Sequence, residues 1–213
     1  MSGPSTSRRL ILASASPRRV ELLRGAGFNP EVRSPEVVEF SESSGLAAER
    51  LALENARLKG RAVFDAGAGN GDVVVAADTV VELDGRIFGK PRSETEAVSM
   101  LQQLGGKVHR VLTGVWMASR SDGGGDLFEQ WIEETEISFH CRQEAFIRAY
   151  VNRVGSMDKA GGYAAQSDQG EMIAGVRGSF SSVIGLPIER VAEVLKRWGI
   201  DPRAGAIDRR CSS

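Results

Sequence analysis

An unbroken apolar run from Val73 to Ala77 is the feature that most limits how this 213-residue chain can fold. No polar residue alternates within the run, so neither face of the segment suits water. A Gly-rich stretch precedes it and Asp78 follows it. Such a segment is typical of a central strand in a sheet that is covered on both faces. The sequence therefore predicts a layered fold built around residues 73–77.

Helical patterns and two hairpin signals surround this strand. Asp84 and Gly85 lie between two short apolar segments, as in a hairpin with a type I′ turn. A second hairpin is predicted around residues 121–126, and a turn centred between Gly123 and Gly124 would place Trp116 opposite Trp131. Further strands are expected at 9–13, 30–38, 171–177 and 181–184, and helices at 17–26, 46–64, 93–104, 143–152 and 187–198. This order predicts an α/β fold with a mixed twisted sheet flanked by helices.

Length, charge and cysteine content set the broad class of protein. We expect a single domain over 9–200, with room for two lobes, and flexible tails at 1–8 and 202–213. No apolar run is long enough to span a bilayer, and the first residues lack the apolar core of a secretory signal. Cys141 and Cys211 form neither a metal-ligand spacing nor a disulfide framework, which favours a reducing, cytoplasmic location.

The net charge of −1 disfavours broad binding to nucleic acid or to membrane surfaces. An anionic ligand therefore requires a local basic pocket. Two histidines and two distant cysteines cannot build a zinc site, and the chain has neither a dinucleotide-binding glycine motif nor a Walker loop.

The segment from Ser14 to Arg19 has the composition of an anion site. The predicted first strand ends in Ser14 and Ser16, and the next helix begins with Pro17. Free backbone N–H groups, two hydroxyls and the guanidinium groups of Arg18 and Arg19 thus point toward one place. A guanidinium donates two parallel hydrogen bonds, which suits phosphate oxygens. The alternative is an ordinary capped helix start with two solvated arginines.

Three further charged residues are candidates for chemistry. Asp78 follows the buried strand, and open α/β folds place their ligands at this edge of the sheet. Its carboxylate can hold a divalent cation or take a proton from water, or it can simply cap the next turn. Glu39 has the same ambiguity. Lys90, between Gly89 and Pro91, is either a positioned cation or a turn lysine.

Six stretches together resemble the Maf family of nucleoside triphosphate pyrophosphatases, which is related in fold to the inosine triphosphate pyrophosphatases. They occur in the family's order across residues 9–198. The stretches are 12–19, 76–79, 89–92, 106–114, 158–163 and 178–187. The resemblance implies hydrolysis of a nucleoside triphosphate to the monophosphate and pyrophosphate, with Mg²⁺ or Mn²⁺ as cofactor.

The resemblance also assigns roles to residues of this chain. It implies that Glu39 and Asp78 gather the metal and activate water, and that Lys90 assists at the phosphates. The residues expected to bind substrate are Ser14, Ser16, Arg18, Arg19, Thr79 and Gln166. Thr79 and Gln166 match positions beside the base, with Arg18 as a third.

Gln166 resembles the branch of the family that prefers dTTP and UTP. A carboxamide offers a donor and an acceptor side by side, which can pair with O4 and N3–H of a pyrimidine. The implied function is removal of dTTP, UTP and modified pyrimidine nucleotides by a house-cleaning enzyme. The alternatives are a specificity for 7-methylguanosine triphosphate and a non-catalytic nucleotide-binding regulator of cell division. A homodimer is left open.

Asn55 departs from the family, which usually has a lysine at this position of the long helix. Lys59 lies one helical turn further on, and helical side chains tilt toward the N-terminus. This geometry permits the hypothesis that Lys59 replaces the missing cation, although most lysines at such positions are solvated. The alternative is that Lys59 is solvated and that Arg18, Arg19, Lys90 and the metal suffice.

Overall fold

The computed structural model describes residues 8–120 and 125–202. Its strands are β1 (Leu10–Leu12), β2 (Glu31–Val32), β3 (Val73–Leu83), β4 (Arg86–Phe88), β5 (Val108–Ser119), β6 (Leu127–Phe139) and β7 (Ile173–Arg177). Its helices are α1 (Pro17–Gly25), α2 (Ala48–Asp65), α3 (Glu94–Leu104), α4 (Glu144–Val154), α5 (Phe180–Ile184) and α6 (Ile188–Arg197). Short 3₁₀ turns lie at Glu42–Ser44, Ser156–Asp158, Ala160–Gly162 and Ala165–Ser167.

The strands form one sheet in the order β2-β1-β3-β5-β6-β7, and β4 also pairs with β3. β1 runs parallel to β2 and β3, whereas the other pairs are antiparallel. This arrangement confirms the predicted α/β class with a mixed sheet flanked by helices. Residues 73–77 of β3 are fully buried, as their apolar run predicts.

The expected end of this strand at Ala77 was wrong. β3 continues through Asp78 to Leu83, because the apolar residues after Thr79 keep pairing with β5 as far as Glu82. On the opposite edge of β3, β1 pairs only up to Val75, and β4 begins to pair at Val81. Residues 76–80 thus form an edge window, a stretch that pairs with β5 and has no strand on its other side.

The predicted register of the β5–β6 hairpin was wrong by one residue. Ser119 pairs with Leu127, so the centre of the connection falls on Gly123 rather than between two glycines. Trp116 therefore lies opposite Gln130, and its ring packs edge-on against Phe64 of α2. A slip of one residue sends each side chain to the other face of the sheet. Residues 121–124 lie outside the described part of the chain.

Two more predicted strands need correction. Residues 181–184 belong to helix α5, which begins where the Ser179 hydroxyl accepts a hydrogen bond from the Ser182 N–H. The segment after α1 was expected to be extended over 30–38, but β2 keeps only Glu31 and Val32, since its partner β1 ends at Leu12.

Helix α2 lies in direct backbone contact with the sheet. A Cβ atom on Gly114 of β5 would lie 2.5 Å from the carbonyl carbon of Ala52, and one on Gly60 of α2 would lie 2.0 Å from the Trp116 ring. Gly114 is paired with Asp78 in the sheet. The two glycines therefore let α2 settle directly over the part of β3 that carries Asp78.

The two ends of the described chain lie close to each other. Residues 1–7 and 203–213, most of the two expected tails, lie outside the described part, while the Arg8 guanidinium donates to the Trp198 carbonyl at 2.7 Å. The described helices include none with the length and apolar character needed to cross a membrane. The boundaries 9–200 of a single domain stay a prediction.

Candidate active site

A cavity of about 670 Å³ opens at the edge window of β3. All of the residues predicted to form the site line it, although they come from segments far apart in the chain. These are Ser14, Ser16, Arg18, Arg19, Glu39, Asp78, Thr79, Lys90 and Gln166. The fold therefore brings the predicted phosphate, acid and base-reading groups to one place.

The start of α1 forms one wall of this cavity. Pro17 is the first helical residue, and the Ser16 hydroxyl makes no capping bond to the helix. The Ser16 N–H instead donates to the Ser14 hydroxyl at 3.2 Å. Arg18 donates to the Asp158 carboxylate at 2.6 Å. The simple capped start is therefore not what this segment adopts, and the Ser16 hydroxyl faces the cavity without a helical partner.

Arg19 is buried rather than solvated. Its guanidinium donates to the Gly185 carbonyl at 2.7 Å, to the Ser14 hydroxyl at 3.0 Å and to the Thr79 hydroxyl at 3.4 Å. Burial lowers the pKa of Arg19, and the nearby charge of Asp78 opposes this shift. Arg19 thus joins α1, β3 and the end of α5 while it adds a positive charge to the cavity wall.

The carboxylates of Glu39 and Asp78 both contact the ammonium group of Lys59. Lys59 Nζ donates to Asp78 Oδ1 at 2.7 Å and to Glu39 Oε2 at 2.9 Å, and only 9% of the Lys59 side chain is exposed. The structure therefore places Lys59 inside the site and not in solvent. Its signal in the sequence is the spacing of four residues from Asn55, which puts both side chains on one helical face.

Asn55 holds the segment that carries Glu39. Its side chain accepts from the Phe40 N–H at 2.8 Å and donates to the Phe40 carbonyl at 3.0 Å, while its amide nitrogen lies 3.3 Å from Asp78 Oδ2. This two-sided contact fixes an otherwise exposed loop against α2. Asn55 is thus a site residue whose role is to position Glu39.

The donor set fits a metal shared with a substrate. Within residues 8–120 and 125–202, no group of three or more His, Cys, Asp or Glu side chains is arranged to hold a metal ion. Glu39 and Asp78 nevertheless converge on one cation, the Lys59 ammonium. Mg²⁺ is commonly held by one or two carboxylates together with phosphates and waters. Two convergent carboxylates beside an anion site match that pattern.

Part of the cavity lining is apolar. Val81, Phe88 and Tyr163 line it, and Gln166 stands on the exposed 3₁₀ turn at its rim. The Tyr163 hydroxyl lies 3.1 Å from Nε2 of the buried His109, and burial lowers the pKa of His109 to about 4. A flat apolar group with a polar edge suits such a lining.

Asp158 lines the cavity as well, although sequence reasoning did not predict a role for it. It lies in the stretch 158–163, but its partner Arg18 is 140 residues away in the chain. Burial works against ionisation of this carboxyl, and hydrogen bonds from Lys159 and Arg18 outweigh it, so that the pKa of Asp158 is about 2. Asp158 therefore fixes the position of the Arg18 guanidinium. Lys90 lies exposed at the rim nearby.

Comparison with known proteins identifies the family. A family model described as "Maf-like protein" matches residues 9–198. The chain belongs to the Maf family. The six stretches that carried the resemblance fall within the matched region, so this prediction is confirmed.

Curated relatives of this Maf protein carry a specific name. A protein of Anaeromyxobacter sp. (strain Fw109-5), named dTTP/UTP pyrophosphatase, is 42% identical over 191 residues, which cover 90% of each chain. A protein of Desulforamulus reducens with the same name is 40% identical and covers 91% of this chain and 98% of its own. A solved HAM1 protein of Coxiella burnetii covers 90% of this Maf chain and 100% of its own, with 16% identity and a TM-score of 0.42.

Proposed function

We propose that this Maf protein is a nucleotide diphosphatase that hydrolyses dTTP and UTP to the monophosphate and pyrophosphate. The observation that carries the proposal is that one cavity holds both the anion site at Ser14–Arg19 and the carboxylates of Glu39 and Asp78. An enzyme that hydrolyses a polyphosphate needs both, because the chain is negative and the attacking water needs a base. The names of the relatives support the choice of dTTP and UTP.

Positively charged side chains of this protein stabilise the negative charge of the phosphates. Arg18 and Arg19 on one wall and Lys90 at the rim face the phosphates. Asp78 accepts the proton of the water whose oxygen attacks the α-phosphorus, and the bond to the bridging oxygen breaks so that pyrophosphate leaves. The apolar side chains near Tyr163 contact the base, and Gln166 pairs with O4 on its polar edge.

A divalent cation, Mg²⁺ or Mn²⁺, belongs to the proposal. Glu39 and Asp78 are the residues that would hold it, since their carboxylates already converge on one positive charge. When bound, such an ion supplies positive charge against the phosphates and acidifies a bound water.

Lys59 supplies the positive charge that a lysine at the position of Asn55 usually supplies in the family. Its ammonium ties Glu39 to Asp78 and adds a charge beside the phosphate site. The case for a regulator without turnover depended on the loss of this cation, so the position of Lys59 favours an active enzyme. A cytoplasmic location and a homodimer stay predictions.

The test is an assay of released pyrophosphate over dTTP, UTP, CTP, GTP and 7-methylguanosine triphosphate with added Mg²⁺ or Mn²⁺. We expect turnover of UTP and dTTP above the others. Asp78→Asn keeps the size of the side chain and removes its charge, so turnover should fall about 100-fold or more. No pyrophosphate from any nucleotide, equal rates on GTP and UTP, or near-normal turnover by folded Asp78→Asn would contradict the proposal.

A further inference from the structure

Two threonine hydroxyls connect the cavity to the start of α5. Thr113 Oγ1 lies 2.8 Å from the Ser182 carbonyl oxygen and 2.9 Å from Thr79 Oγ1. A carbonyl oxygen only accepts, so the Thr113 hydroxyl must give its proton to Ser182. The Thr113 oxygen is then an acceptor toward Thr79, and the Thr79 hydroxyl must donate to it. The direction of both hydrogen bonds is therefore fixed by one carbonyl group.

Arg19, the other neighbour of Thr79, determines which hydrogen bonds Thr79 can still make to a ligand. The Arg19 guanidinium, which can only donate, lies 3.4 Å from Thr79 Oγ1 and occupies one of its lone pairs. The Thr79 hydroxyl donates its proton to Thr113 Oγ1. Thr113 is 0% exposed, so no water competes with it for this proton. Thr79 itself is half-buried and lines the cavity. It can therefore offer a bound ligand only an acceptor.

We propose that Thr113 is a specificity-determining residue that acts through Thr79, by holding the Thr79 hydroxyl as an acceptor toward the nucleobase. This inference rests on the proposed function. Uracil and thymine present an N3–H donor, whereas cytosine presents a bare N3 lone pair in the same place. An acceptor-only hydroxyl pairs with the first and repels the second, which selects UTP and dTTP over CTP.

Phosphate oxygens would form no hydrogen bond with the Thr79 hydroxyl, because they too are acceptors. The relay therefore fits the position beside the base that the resemblance implies for Thr79, and it leaves the phosphates to the cations of α1. Gln166 alone does not provide this discrimination, since a carboxamide that rotates by half a turn exchanges its donor and acceptor and suits either pyrimidine.

Thr135 offers a matched control. It is also 0% exposed, and its hydroxyl lies 3.1 Å from the Ser179 carbonyl and 2.9 Å from the Ser182 hydroxyl. It does not line the cavity or contact Thr79. Thr135→Val therefore removes a buried hydroxyl from the same end of α5 without freeing Thr79.

The experiment measures kcat/KM for UTP and CTP in the unaltered protein and in Thr113→Val, Thr113→Ser and Thr135→Val. Thr113→Val frees the Thr79 hydroxyl to rotate and donate to cytosine, so the ratio of UTP to CTP should fall about tenfold. Thr113→Ser keeps the relay and should keep the ratio, as should Thr135→Val. A ratio unchanged in folded Thr113→Val, or lowered equally in Thr135→Val, would overturn the inference.

A second measurement needs no mutant and covers the case in which Thr113→Val does not fold. The unaltered protein should turn over N3-methyl-UTP at least tenfold more slowly than UTP, because the methyl group replaces the donor that Thr79 needs. Equal rates would overturn the inference while leaving a UTP-hydrolysing enzyme intact. Absence of pyrophosphate release from UTP itself would instead overturn the proposed function, and this inference with it.

Discussion

Lys59 Nζ lies 2.7 Å from Asp78 Oδ1, although Lys59 belongs to α2 and Asp78 to the strand beneath it. Asn55, one turn earlier in α2, reaches the other oxygen of the same carboxylate at 3.3 Å. The two side chains of one helical face thus share one acid. The ammonium that meets this carboxylate thus comes from Lys59, one helical turn after Asn55.

This relationship predicts the effect of exchanging the two residues. Lys59→Ala should lower kcat for UTP about 100-fold, because it removes the one ammonium that pairs with both Glu39 and Asp78 beside the phosphates. Adding Asn55→Lys to that variant should restore much of the activity. Steady-state kinetics with UTP measures both effects.

The matched control is Arg61→Ala, which removes an exposed cation of the same helix that pairs with Asp65. It should leave the kinetics unchanged, since Arg61 does not line the cavity. Unaltered kcat and KM in Lys59→Ala would show that the site works without this ammonium.

Gln166 provides a second prediction. Gln166→Glu replaces the donor half of the carboxamide with a second acceptor, so the preference for UTP over GTP should shrink about tenfold. Gln169→Glu makes the same change of charge in the same loop but outside the cavity, and it should have no effect. A nucleotide panel that gives identical ratios for Gln166→Glu and the unaltered protein would rule out a role in reading the base.

Gly114 provides a prediction about stability and activity together. Gly114→Ala would place a methyl group 2.5 Å from the α2 backbone, so the helix must move away from β5. We expect a loss of about 2 kcal/mol in the free energy of unfolding and a lower kcat, because Lys59 and Asn55 move with the helix. Gly25→Ala is the control, since a Cβ there meets nothing within 4 Å. Full activity in Gly114→Ala would mean that close contact of α2 is not needed.

His109 provides a prediction about pH. Burial lowers its pKa from 6.5 to about 4, so the unfolded chain binds the proton more readily than the folded protein. The contribution of neutral His109 to stability is therefore complete above pH 6.5 and is lost as pH falls toward 4.

Between pH 7.5 and pH 5 the unaltered protein should lose about 2 kcal/mol more than His109→Gln, which keeps a partner for Tyr163 and does not titrate. Urea unfolding at the two pH values measures this difference. Parallel losses in the two proteins would contradict the assignment to His109.

The parts of the fold that sequence predicted well are those set by local chemistry. The turn at Asp84 and Gly85 has positive φ angles of 52° and 82°, as its residue types require. Ser93 caps α3 by accepting from the Glu96 N–H at 3.1 Å. Helical spacing put Lys59 beside Asn55 and so allowed its approach to Asp78, but it did not decide between this contact and a solvated lysine.

The parts that sequence missed depend on partners distant in the chain. β3 extends beyond Ala77 because β5 continues beside it. The residues near Asp78 in the sequence do not indicate this continued pairing. The register of the hairpin depends on a single residue of its connection. The pairing of Arg18 with Asp158 joins segments 140 residues apart, which no local pattern announces.

The edge window of β3 has a consequence for how the protein meets other chains. An unpaired strand edge usually invites a foreign strand to dock and so seeds aggregation. Here the opening at residues 76–80 is about 16 Å long and ends against β1 on one side and β4 on the other. An extended polypeptide entering it would collide with one of these strands, whereas a compact small molecule would not. This edge of β3 is therefore open to a small molecule but too short for an added strand.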